Sequence, residues 1–289
     1  MIKNLILIAR PYQWIKNLII FVPLISSQKY DMGSFILCTK GLIIFSLISS
    51  CGYIINDMFD EKYDKIHPIK KNRPLASGLL NKNTCIIFSI ILFIIAILFG
   101  INENYKFTFI LSIYILLSFF YSYLFKKIII IDLIIISLLF LFRILAGTTI
   151  LNVEISIYLL FFSQLFFLSL AGIKRLAETQ ISENLKNNIL PGRSYIKEND
   201  KLLSIISFIA FTLSLIVLII YISSSNAKDI YSRAFILYLM CPILATWFLR
   251  MYYKAKYSKI TGDPIIFAIK DKLSLFISFV SAIVIFFSI

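Results

Sequence analysis

The sequence predicts an all-α, polytopic membrane bundle of nine transmembrane helices. Three observations carry that reading. The 289 residues are 60% hydrophobic, with a mean hydropathy of +0.89, well above a soluble domain. Apolar runs near the ~20 residues needed to cross a bilayer recur along the chain, separated by polar breaks. When these runs are threaded alternately through a membrane, the cations collect on one side.

The expected spans are Tyr12–Gln28, Phe35–Asn56, Asn83–Ile101, Phe107–Leu124, Ile128–Ile150, Ile155–Ile173, Leu202–Ser223, Tyr231–Tyr252 and Ile269–Ile289. With the N-terminus inside, 23 of the 29 Lys and Arg lie at cytosolic ends and loops. Lys29, Lys40, Lys106, Lys228 and Arg233 lie opposite, and Arg143 falls within the fifth span. One span more or fewer would scramble this alternation, so the asymmetry supports both the count and the orientation. The apolar stretch before Arg10 is too short for a cleaved signal peptide, and no small-residue cleavage site follows it. Neither an internal repeat nor a composition shift divides the chain, so residues 1–289 are read as one domain.

A net charge of +14 would by itself suit nucleic acid, but its placement beside the spans argues for topology instead. Cys38, Cys51, Cys85 and Cys241 are scattered through apolar segments without metal-ligand spacing. His67 is the only histidine, which excludes histidine-based triads and a His/Cys zinc site.

The second span ends in Asn56-Asp57-Met58-Phe59-Asp60-Glu61-Lys62-Tyr63-Asp64. Asp57, Asp60 and Asp64 share one helical face, and Asn56 lies one turn from Asp60. Carboxylates on one stripe repel unless a cation sits among them. Oxygen ligands without Cys or His suit Mg²⁺ or Mn²⁺, which are held by a few carboxylates plus substrate phosphates. Asn56, Asp57, Asp60 and Asp64 are therefore the expected metal ligands. The following loop, expected over Asp60 to Asn83, is stiffened by Pro68 and Pro74 and carries Lys70, Lys71 and Arg73, which add phosphate-gripping charge.

The second long cytosolic loop runs from Lys174 to Lys201. Lys174-Arg175-Leu176-Ala177-Glu178 places Lys174 and Glu178 on one face, as an ion pair or a functional pair. In the fifth span, Arg143 stands about 16 Å along the helix from Asp132 and needs an anion or backbone oxygens. Asp263-Pro264 reads as an N-cap followed by a first-turn proline, with Lys270 and Asp271 about two turns into that helix.

Together these pieces resemble the UbiA superfamily of intramembrane prenyltransferases, whose nine helices surround a central cavity with cytosolic loops capping it. Asn56-Asp57-x-x-Asp60-x-x-x-Asp64 is similar to its first aspartate-rich motif. At the second motif, where quinone-type members carry DxxxD, basic groups replace one acidic position and Glu178 keeps the other. That change resembles the polyprenyl-phosphate phosphoribosyltransferase branch, of the decaprenyl-phosphate type. So do Arg10-Pro11-x-Gln13-Trp14-x-Lys16-Asn17, Asn72-Arg73-Pro74, Tyr121-Ser122 with Lys126, Asp132 and Arg143, and Gly262-Asp263-Pro264 through Asp271.

The resemblance implies Mg²⁺-dependent transfer of 5-phosphoribose from 5-phosphoribosyl diphosphate to a polyprenyl phosphate. The active site would face the cytoplasm from the cell (inner) membrane. Asp57, Asp60, Asp64, Lys174 and Glu178 are the implied catalytic residues. Lys70, Arg73, Lys174 and Arg175 are implied for the sugar phosphates, and Lys16, Lys126 and Arg143 for the lipid phosphate. Asn17, Asn56, Tyr121, Asp132, Asp263 and Lys270 complete the expected binding set. Two other classes remain open: a prenyltransferase acting on an aromatic or other small acceptor, and a lipid-phosphate transporter. A homologue serving as a scaffold without turnover, and association into a homo-oligomer, are also open.

Overall fold

A bilayer offers no water to spare N–H and C=O groups, so apolar runs close their hydrogen bonds internally as helices. The computed structural model of the chain describes residues 1–67, 70–182, 192–257 and 263–289, with backbone alone at 181 and 182, and contains no strand among them. Pro68, residues 183–191 of the second long loop with Lys186 among them, and Gly262 lie outside the described residues.

Two compact units divide the chain: Met1–Glu154 with Pro191–Ser194, and Ile155–Leu190 with Tyr195–Ile289. The first contains α1 (Ile2–Ala9), a 3₁₀ segment (Pro11–Phe21), α2 (Val22–Ser26), α3 (Met32–Ile66), α4 (Lys82–Glu103), α5 (Tyr105–Tyr123) and α6 (Ile129–Ile150). Helix α3 packs on α4, α5, α6 and the 3₁₀ segment. The packing follows a stripe of small side chains. On α4 the buried positions are Cys85, Ser89, Leu92, Ala96 and Gly100, at helical spacing, while Ile86, Ile87, Ile90, Phe93 and Ile94 face outward. Gly147 of α6 allows a close approach to the 3₁₀ segment, since a Cβ there would meet the Ile20 carbonyl oxygen at 2.2 Å.

The second unit contains α7 (Ile157–Ser182), α8 (Asp200–Ser223), α9 (Ser225–Ile230), a 3₁₀ turn (Ala234–Leu239), α10 (Met240–Lys256), α11 (Pro264–Lys270) and α12 (Lys272–Ser288). Helix α7 pairs with α8 and α10, and stacked Phe211 and Phe248 fill the seam between α8 and α10.

Among the described residues, seven helices are long and apolar enough to cross a bilayer. The number reaches nine if two bent pairs each count as one span: Ile2–Ala9 with Pro11–Ser26, bent 41°, and Pro264–Lys270 with Lys272–Ser288, bent 86°. The first expected span is thus largely 3₁₀ and tied to α3 by side chains, with Trp14 Nε1 donating to Ser50 Oγ at 2.9 Å. The last is broken at Asp271, whose carboxylate caps α12 through the Ser274 N–H at 2.9 Å. Lys270 therefore ends α11 and Asp271 starts a new helix, so the two do not lie inside one continuous helix.

The largest departure from expectation is α3. Its 35 residues extend about 52 Å, far beyond the ~30 Å hydrocarbon core. The helix does not yield to loop at Asp60. It continues to Ile66 because no breaker precedes Pro68 and because its carboxylates find cations from elsewhere in the chain.

Candidate active site

The far end of α3 presents Asp57, Asp60 and Asp64, all buried. Asp57 and Asp64 are seven residues apart, so they stack within roughly 20° on the helix surface, while Asp60 is turned roughly 60° from Asp57. That offset divides the three. Arg73 Nη1 donates to Asp57 Oδ1 at 2.9 Å and to Asp64 Oδ2 at 2.5 Å. Arg10 Nη2 donates to the same Asp57 Oδ1. Asp60 instead accepts from Lys126 Nζ at 2.6 Å and from Asn56 Nδ2 at 3.0 Å. Asn56 in turn accepts from Ser122 Oγ at 3.3 Å. Three carboxylates thus meet three cations. No trio of His, Cys, Asp or Glu converges on one point among the described residues. Of the four expected metal ligands, Asp57 and Asp64 share one cation, while Asp60 and Asn56 turn toward α5 and its following turn.

Arg10 was missing from the expected binding set. It sits between α1 and the 3₁₀ segment with φ 54° and ψ 57°, a left-handed conformation immediately before a proline. Such a backbone costs about 1–3 kcal/mol and persists where surrounding contacts hold it. Its guanidinium lies 5.6 Å from the Tyr53 ring centre and on Asp57. The sequence signal was the Arg10-Pro11 pair; only the fold brings it to Asp57.

Lys70 begins a short 3₁₀ turn, Lys70–Asn72, ahead of Arg73, and its N–H donates to His67 Nδ1 at 3.3 Å. Gly192, at φ 78°, lies so close to Tyr63 that a Cβ would come within 2.9 Å of Cδ2. Lys126 is 3% exposed and is held by Asp60, with the Phe59 ring 5.9 Å away. Tyr121 donates to the buried Asp132 at 3.0 Å.

Arg143 belongs to a different layer. It is buried, and its Nε donates to Asn17 Oδ1 at 2.8 Å, with Leu139 O and Tyr114 OH as further acceptors. Phe45, Tyr114 and Phe140 surround its guanidinium at 5.0–5.5 Å. Asn17 donates to Ser46 at 2.9 Å and Ser49 at 3.3 Å, which lie 8 to 11 residues before Asp57 on α3. That is about 12–16 Å along the axis. Arg143 and Asn17 are thus paired with each other in a layer set back along α3 from Asp57. They pin α6 and the 3₁₀ segment to α3. Lys16 lies beside the same Phe140 ring, at 5.9 Å.

In the second unit, Lys174 Nζ lies 3.1 Å from Asp263 Oδ2. Asp263 also caps α11, accepting from the Ile265 N–H at 3.1 Å. Arg175 is 0% exposed, with Glu178 at 2.5 Å and the Tyr195 ring beside it. The Lys174–Glu178 pairing expected from their spacing is replaced by Lys174–Asp263 and Arg175–Glu178. Lys270 is exposed. Its neighbour Asp271, named in the sequence but left out of the expected binding set, receives Arg250 through both terminal nitrogens, at 2.6 and 2.8 Å, and Lys254 at 3.1 Å.

A family model described as the UbiA prenyltransferase family matches residues 19–278. Nodulation protein NoeC of Azorhizobium caulinodans is 30% identical over 92% of this chain and 87% of that protein. Protein y4nM of Sinorhizobium fredii is 28% identical over 96% of this chain, which spans about half, 54%, of its length. Decaprenyl-phosphate phosphoribosyltransferase of Mycolicibacterium smegmatis is 29% identical over 63% of this chain and 59% of that protein. The structure of a UbiA homologue from Archaeoglobus fulgidus bound to DMAPP and Mg²⁺ superposes with a TM-score of 0.72, at 14% identity, over 99% of this chain and 97% of that one.

Proposed function

The chain belongs to the UbiA prenyltransferase family and is an integral membrane protein, and from that premise we propose that it transfers 5-phosphoribose from 5-phosphoribosyl diphosphate to a polyprenyl phosphate. The observation that carries this reading is the shared Asp57 oxygen, gripped by Arg10 and Arg73 together. Two guanidiniums at one acidic centre suit a compact donor rich in phosphate oxygens. The relatives named decaprenyl-phosphate phosphoribosyltransferases support the same reading.

In the reaction, the bond from ribose C1 to the diphosphate oxygen breaks, and a polyprenyl-phosphate oxygen bonds to C1. The acceptor is already anionic at neutral pH, so no strong general base is needed. Asp57 and Asp64 fit a hard divalent cation. They offer oxygen donors only, already converge on one positive group, and match the one or two carboxylates that Mg²⁺ uses beside substrate phosphates. Bound there, Mg²⁺ or Mn²⁺ would neutralise charge on the departing diphosphate. Arg10 and Arg73 bind phosphate oxygens as the C1–O bond weakens. Lys126, whose Nζ reaches Asp60 of the acidic cluster, meets the acceptor. Lys174 and Glu178 are assigned to the donor from their place in the family's second motif alone. The cation asymmetry of the sequence supports a reaction on the cytoplasmic face of the cell membrane.

The test is purified protein with Mg²⁺, labelled 5-phosphoribosyl diphosphate and a polyprenyl phosphate. Label should pass into the organic phase. Prenylation of a small aromatic acceptor from geranyl diphosphate, with phosphoribosyl diphosphate ignored, would replace this reading with the prenyltransferase one.

A further inference from the structure

We propose that Arg10 and Arg73 are exchangeable counter-ions that hold the place of the divalent cation on Asp57 and Asp64, and leave it for phosphate oxygens when the cation and an anionic donor bind together. The proposal rests on the reading that Asp57 and Asp64 bind a metal, and adds how that binding is controlled.

The argument begins with charge. Asp57 and Asp64 are balanced by Arg10 and Arg73, while Asp60 is separately balanced by Lys126. The carboxylates are buried, so an imbalance there is poorly screened by solvent. A divalent cation arriving alone would need the oxygens that the guanidiniums occupy. It would strand two arginines beside a doubly charged ion. A phosphate arriving alone would face two carboxylates whose charge the same arginines already neutralise. When both arrive, every charge finds a partner: the cation takes the carboxylates and the arginines take the phosphate.

Geometry supports an exchange rather than simple crowding. Arg73 Nη1 touches both carboxylates at once, at 2.9 and 2.5 Å, as a single bridging cation would. Arg73 is partly exposed and follows a short turn, and Arg10 is set on a left-handed backbone between two helical segments. Both can swing without unwinding α3. Neither is enclosed as Arg175 is. The consequence is reciprocal coupling: the cation raises affinity for the phosphate ligand, and the ligand raises affinity for the cation by the same factor.

The experiment is a Mn²⁺ titration of the full chain in detergent, with free Mn²⁺ followed by electron paramagnetic resonance and no phosphate ligand present. Arg73→Gln removes a competing charge and should bind Mn²⁺ about tenfold more tightly than wild type. Arg10→Gln should shift affinity the same way, and keeps the test valid if Arg73→Gln does not fold. Arg73→Lys retains the charge and should stay close to wild type, which separates counter-ion release from loss of a structural guanidinium. Adding Asp64→Asn to Arg73→Gln should abolish the gain. If wild type binds Mn²⁺ and both glutamine variants bind no tighter, the exchange is wrong while the metal reading stands. If wild type and variants all fail to bind Mn²⁺, with inorganic diphosphate present or absent, the metal reading falls and the exchange with it.

Discussion

Two buried charged groups in the first unit, the cluster at the end of α3 and Arg143 below it, look alike in sequence and differ in chemistry. Both are ionic groups in a membrane bundle, where such groups are costly and usually functional. Among the described residues, Arg143 meets neutral acceptors and three aromatic rings. The upper cluster pairs each of Asp57, Asp60 and Asp64 with a cation. Neutral partners fix a guanidinium in place, because an alternative would leave it unsolvated. Ionic partners can be traded for other ions. Under the proposed function, the partner, more than burial, separates a structural charge in this bundle from a working one.

The sharpest way to break the comparison is to cross two variants. Asp57→Asn should lower turnover by about 100- to 1000-fold and abolish Mn²⁺ binding, with helical content retained by circular dichroism. Arg143→Ala should do the reverse. It leaves Asn17 without its donor and opens space among Phe45, Tyr114 and Phe140, so it should cost about 3 kcal/mol of stability. Thermal unfolding should then begin several degrees lower, with Mn²⁺ affinity unchanged in the fraction that folds. If Arg143→Ala is thermally normal but loses Mn²⁺ binding or turnover, the two layers act as one site.

A smaller effect is expected at Lys174. Its contact with Asp263 is partly exposed, so Lys174→Ala should spare the fold. Loss of one charge-assisted contact to the donor would cost about 1.5–3 kcal/mol. It should appear in kcat/KM for phosphoribosyl diphosphate. Unchanged kcat/KM would remove Lys174 from the proposed catalytic set.

What the sequence made legible follows periodicity, and what it hid depends on long-range pairing. The shared face of Asp57 and Asp64 could be read from spacing alone, and the structure puts both on one guanidinium. That Asp60 would turn away to Lys126 could not, because the deciding partner lies 66 residues on. Arg10 stands 47 residues from Asp57 and no local pattern links them. The same blindness set the end of the second span too early. The following loop was expected from Asp60, although the helical face through Asp64 was legible; the helix runs on to Ile66 with Arg10, Arg73 and Lys126 meeting its carboxylates. The break at Asp271 was hidden for a similar reason: its partners, Arg250 and Lys254, come from the preceding long helix. The long apolar spans from α3 to α8 needed no such partners, and their existence was visible from composition.

The smallest expected effect tests the comparison within the acidic motif itself. Glu61 follows Asp60 directly and is as acidic as its neighbours, so a motif read by composition would treat it as their equal. Its partners differ. Lys65 lies at 2.7 Å and Lys82 at 3.0 Å, and these lysine side chains are 53% and 58% exposed. Pairs of that kind are screened by water and pay side-chain entropy, and contribute roughly 0–1 kcal/mol. The lysines are also replaceable by solvent in a way that Arg10 and Arg73 are not. Glu61→Gln should therefore leave thermal unfolding within a few degrees of wild type, Mn²⁺ affinity unaltered and turnover within about threefold. A loss in Mn²⁺ affinity approaching that of Asp57→Asn would mean that acidity along the motif, rather than the pairing of each carboxylate, decides which residue holds the cation.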